Sequence, residues 1–170
     1  GTALLFIIFG FLWISEIFPL SKNVRIRREI ENLTGKSFWP SNEFTSSRNW
    51  GIGGGGYSID IYSFSAAVAE YFHSPDSSFF QRRTDQYGAH SMSFSGWQLT
   101  PVESTDAVYL EAATSELMGD SEKTLHHKKL IRQWAMAPGS LYANTGDPYS
   151  GHFFLINPEQ RMFVLIYHNR

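Results

Sequence analysis

The sequence predicts an α+β fold, an antiparallel sheet with packed helices, preceded by an N-terminal transmembrane or signal-anchor helix. Three observations carry that expectation. Two apolar segments, HFFLIN and MFVLIYH, flank the turn sequence PEQR at the carboxyl end. Two capped helical patterns stand before them, in DAVYLEAATSELM and EKTLHHKKLIRQWAM. At the other end, residues 2–15 carry no charge and Ala3 to Ile14 are almost uniformly apolar.

A helix needs roughly 20 apolar residues to cross about 30 Å of hydrocarbon. Residues 2–20 supply 19, with Glu16 as the first charge and Pro19 near the end, where charge and helix disruption cost least. Trp13 would anchor at the interface. This reading makes residues 1–21 a membrane anchor or signal segment, with a lipid bilayer as partner through residues 2–20. The remainder would be a membrane-anchored, extracytoplasmic domain. The competing reading packs the same stretch inside the protein.

Residues 24–34, VRIRREIENLT, align Ile26, Ile30 and Leu33 on one helical stripe, and Gly35 supplies a stop. That helix would lie beside the membrane. The segment Lys36 to Asn49 contains Pro40 and many small polar residues, which predicts a linker. Residues 22–49 thus form a juxtamembrane helix and linker, and residues 50–170 a single α+β domain. Within it, Tyr57, Ile59, Ile61 and Ser63 alternate with polar neighbours as in a half-buried strand. Ser65 caps a short helix through AAVAEYF, and Ser74-Pro75-Asp76 reads as a turn. Met92 and Phe94 have strand spacing before Gly96. Thr105 and Ser121 are the expected caps of the next two helices, which Gly119 and Pro138-Gly139 end. The apolar content of Phe153–Ile156 and Met162–Tyr167 is nearly continuous, so those strands should be covered on both faces.

Composition narrows the chemistry. The 170 residues are 42% hydrophobic and 18% charged, with a formal charge of -2, so no broad basic field points to nucleic acid. There is no cysteine, which excludes disulfides, thiolate zinc sites and iron–sulfur clusters within this sequence. Gly51, Gly53 and Gly56 match a GxGxxG spacing, yet the run opens a strand rather than a helix, so no cofactor is assigned to it. His126 and His127 are adjacent, about 100° apart on a helix, which is poor geometry for one metal. No metal ligand and no catalytic residue is assigned.

A histidine-dependent hydrolase is the enzymatic alternative. It would need His90 or His152 beside an acid such as Asp147, with His168 or a serine nearby. No Gly-x-Ser-x-Gly elbow is present to support it. The 5 Trp, 8 Tyr and 14 Phe suggest recognition instead, because rigid aromatics give large contact area at modest entropic cost. Trp39, Trp50, Tyr57, Tyr62 and Trp97 are the candidate binding residues. In outline the chain resembles small membrane-tethered bacterial domains, without a residue pattern that transfers a catalytic site. The leading expectation is a membrane-tethered noncatalytic binding or structural domain with a protein partner. The other alternative is a soluble inhibitory or specificity protein whose N-terminal segment packs internally.

Overall fold

The computed structural model describes residues 22–50, 55–82, 94–147 and 149–169, the side chain of Trp50 excepted. The chain divides after Pro40 into two compact units. The first contains helix α1 over residues 22–34. Its apolar stripe is interior, with Ile26, Ile30 and Leu33 all buried. Gly35, at φ 72°, ends it by donating its amide to the Glu31 carbonyl at 2.7 Å.

The second unit, Ser41–Arg170, holds one six-stranded sheet. Its elements in chain order are β1 (Ser41–Trp50), β2 (Gly55–Ser63), α2 (Ala66–His73), α3 (Ser77–Gln81), β3 (Gln98–Leu99), α4 (Ala107–Thr114), α5 (Glu122–Met136), β4 (Leu141–Gly146), β5 (Ser150–Asn157) and β6 (Met162–Asn169). The strand order is β1-β2-β6-β5-β4-β3, and every pairing is antiparallel. The two C-terminal strands therefore lie in the middle, where both faces are covered. This is why they carry almost no polar side chains. Their turn is closed by the Asn157 side chain, which accepts from the Gln160 amide at 2.8 Å.

Pleating sends alternate residues to opposite faces. One face presents Ile59, Ile61, Val164, Ile166, Phe153, Leu155 and Tyr142 to Leu110 and Ala113 of α4 and to Ile131 and Ala135 of α5. On the other, Phe154 meets Phe94 and Trp97, which lead through Phe79 to Phe72 and Phe64. Ser121 caps α5 as its sequence implies, accepting from the Thr124 amide at 3.1 Å. Helix α4 takes Asp106 as its N-cap residue rather than the expected Thr105.

The expected membrane-spanning helix is corrected. No helix among the described residues is long and apolar enough to cross a membrane. Helix α5 has 15 residues and repeated charges, so at about 1.5 Å per residue it falls short of a bilayer and could not be solvated there. Residues 1–21, on which the expectation rested, lie outside the described residues. A transmembrane or signal anchor is accordingly no part of the fold class, which is an α+β fold with an antiparallel sheet and packed helices. The described residues likewise give no support to the membrane tether, the lipid-bilayer partner or the membrane-anchored extracytoplasmic location.

Candidate functional site

The histidines bear first on an enzymatic reading. His152 lies on the aromatic face, parallel to Phe154 at 5.9 Å and 3.3 Å from the Thr145 hydroxyl through Nδ1. His168, two residues beyond Ile166, points to the opposite, helix-covered face and is 2% exposed. Asp147 uses its carboxylate to close the β4–β5 turn, accepting from the Tyr149 amide at 2.7 Å and the Ser150 amide at 2.9 Å. Those backbone hydrogen bonds hold it below the usual carboxylate range. The sheet thus separates the two histidines rather than gathering them in one cleft with an acid. His90 lies outside the described residues. Among the described residues, no group of three metal-ligating side chains converges.

His152 is tuned by its surroundings even so. Burial, reinforced by the neighbouring His168 charge, pushes its pKa down to about 4 from 6.5. A depressed histidine means that the unfolded chain binds the proton more readily. Stability should be complete above about pH 6.5 and fall as the pH drops toward 4, by up to about 3 kcal/mol. Urea titrations at stepped pH should show that slope in the native chain. A His152→Gln variant should flatten it, and an unchanged slope would remove His152 as its origin.

The five candidate binding aromatics are dispersed. Trp39, in the first unit, is 59% exposed, with the Arg27 guanidinium 4.5 Å from its ring centre. Tyr57 and Tyr62 are five positions apart on β2 and so face opposite sides of the sheet, and both are buried. Trp97 is buried against Phe79, ring centres 5.4 Å apart. The side chain of Trp50 lies outside the described residues. Tyr57 also plays a polar part, since its hydroxyl donates to Asp120 at 2.6 Å.

Asp120 is the hub of a buried polar cluster that sequence reasoning missed. Its other oxygen receives the Lys128 ammonium at 2.7 Å and the Leu117 amide at 3.0 Å. Lys128 also donates to the Ser115 carbonyl at 2.8 Å and lies 4.5 Å from the Tyr57 ring centre. Burial alone would raise the Asp120 pKa, but hydrogen bonds from Lys128, Tyr57 and the backbone outweigh it and hold the carboxyl below its ordinary value. Burial and the adjacent carboxylate push the Tyr57 phenol up. With every strong donor and acceptor committed, the cluster braces the α4–α5 loop and offers no free nucleophile. Arg48 of β1 adds a further tie by donating to the Met118 carbonyl. Gly119, at φ 90°, lets the loop pass the guanidinium, which would lie 2.9 Å from an added Cβ. A nearby cleft of about 440 Å³ is lined by Thr114, Glu116, Leu125, His126, Lys129 and Arg132. Arg132 is already bonded to Thr114 at 2.7 Å and paired with Glu111 at 3.4 Å.

The remaining feature is β1 itself. It runs ten residues along the sheet edge in the stretch whose polar composition predicts a linker. Phe44 is its buried side chain, while Thr45, Ser47, Arg48 and Asn49 are exposed. Helix α5 closes over Phe44: the His127 ring stacks on it at 3.9 Å, and the Lys123 ammonium lies 5.3 Å from its centre. Ser46 and Thr124 hydroxyls meet at 3.2 Å on the same side. On the far side Thr45 donates to Asp60 at 2.8 Å, and Asn42 donates to Thr45 at 2.9 Å. Side chains on both faces thereby tie β1 to its neighbours, while its outer side meets no described strand. No family model, curated protein sequence or solved structure matches the chain, so this geometry has to speak for itself.

Proposed function

We propose that the chain is a noncatalytic protein-binding domain, of the inhibitory or specificity kind, that takes an extended partner segment along β1. One observation carries the reading. The two sheet edges are treated differently: β3 is two residues long, whereas β1 offers ten. Sheets normally blunt an edge by keeping it short, charging it or interrupting it with proline or a bulge. From Phe44 onward β1 has no proline and no bulge, the irregularity being confined to Asn42/Phe44. Such an edge supplies a row of unpaired amides and carbonyls, the substrate of strand addition. The dispersed histidines and the fully committed Asp120 cluster fit binding better than turnover.

Selection from a random peptide library should yield extended binders that slow hydrogen exchange at alternate β1 amides. Ser46 and Ser47 direct their amides to opposite sides of the strand. Proline at one of these positions disrupts pairing with β2, and at the other it removes only an outward donor. The folded member of the pair Ser46→Pro and Ser47→Pro should lose binding. Protection away from β1, failure to recover binders, or undiminished affinity in that folded variant would overturn the proposal.

A further inference from the structure

We infer that the segment pairing with β1 is an acidic stretch of another protein, with carboxylates at alternate positions facing helix α5; this rests on strand addition along β1. An added strand lies about 4.8 Å away and sends every second side chain to the α5 side. There it would run beside Lys123 and His127, which cover Phe44, and beside Arg48, four residues along on the same pleat face. Glu122 at the start of α5, Glu43 in the bulge and Asp120 beside Tyr57 are the acids close by; Glu43 already accepts from Ser63 and Asp120 is paired with Lys128. The other face of β1 is neutral apart from Asp60, so an acidic row is favoured on the α5 side and disfavoured opposite. That asymmetry also selects the kind of occupant. A second copy joined edge to edge about a two-fold axis would place two sets of Lys123 and Arg48 along one continuous face, where like charges repel. An acidic segment from a different protein meets one set and neutralises it.

Two ten-residue peptides test this on the full chain, one alternating Glu and Thr, the other alternating Lys and Thr. The Glu peptide should bind about tenfold more tightly, since several exposed ion pairs each contribute modestly, and the gap should shrink as salt is raised. It should protect β1 amides from exchange. Lys123→Glu should abolish the preference, whereas Lys129→Ala, on the α4 side of α5, should leave it intact. Equal affinities with β1 protected would overturn the charge inference and leave strand addition standing. No protection of β1 by either peptide would count against both. Concentration-dependent doubling of mass with β1 protected in the absence of peptide would make a second copy the occupant and sink the inference.

Discussion

Replacing Asp120 with alanine is expected to destabilise the domain by about 3–5 kcal/mol, because it strands the Lys128 ammonium in the interior. Lys128 and Asp120 side chains are 3% and 0% exposed, respectively, and 2.7 Å apart. Deleting one partner leaves the desolvation penalty of the other unpaid, and also orphans the Tyr57 hydroxyl and the Leu117 amide. Removing both charges is a different matter. Asp120→Ala with Lys128→Met should recover much of the loss, since an apolar pair of similar volume needs no solvation. Urea denaturation of the single and double variants gives the comparison, and a double variant no more stable than Asp120→Ala would refute the burial argument. The pH dependence has a definite sign. A carboxyl held below its unfolded value contributes stability above the unfolded pKa of about 3.9 and loses it as pH falls through the folded one. Below about pH 4, after the loss of stability due to His152, acid should therefore release the α4–α5 loop together with its Arg48 tie to β1.

The sheet centre and the helices covering it were legible because their residues face only one kind of environment. Phe153–Ile156 and Phe163–Ile166 are buried on both faces, so their apolar runs announce strands directly. Ser121 and Gly35 act locally, and their effect is visible within four residues. Edge strand β1 was not legible, since polar residues on both of its faces erase the alternation that marks a strand. Strand β4 was hidden for a related reason. Its sequence, LYANTG, mixes Tyr142, whose hydroxyl is satisfied by Gln98 and Asp106, with a buried Asn144. Burial of Tyr142, aided by the adjacent Asp106 carboxylate, also pushes its pKa up to about 12. The five-residue helix α3 looked like part of a turn because Asp76 serves both roles. The Asp120 cluster draws Tyr57 and Lys128 from points 63 and 8 residues away, so no spacing rule exposes it. Aromatic content pointed to recognition, but a count of rings does not say which side of a sheet each one faces.

Phe79→Ala is expected to cost about 3–5 kcal/mol, the range for a buried phenylalanine truncated where the surroundings relax only partly. Phe79 is 1% exposed and sits at the junction of the aromatic layer. Its ring is 5.4 Å from Trp97 and from Phe80, 6.0 Å from Phe72 and 6.2 Å from Tyr71. Helix α3, only five residues long, cannot hold itself by backbone hydrogen bonding and depends on this anchor and on the Asp76 cap. Losing the ring should therefore free α3 as well as open a cavity, and the near-ultraviolet dichroism of Trp97 should weaken along with the denaturation midpoint. The effect should stop at the sheet. Edge strand β1 is fixed from the other face by α5, through Phe44 and His127, so peptide binding along it should survive at temperatures where the variant remains folded. A destabilisation below about 1 kcal/mol would mean that neighbouring rings collapse into the gap. Loss of β1 binding in the folded variant would show that the aromatic layer, rather than α5, sets the shape of that edge.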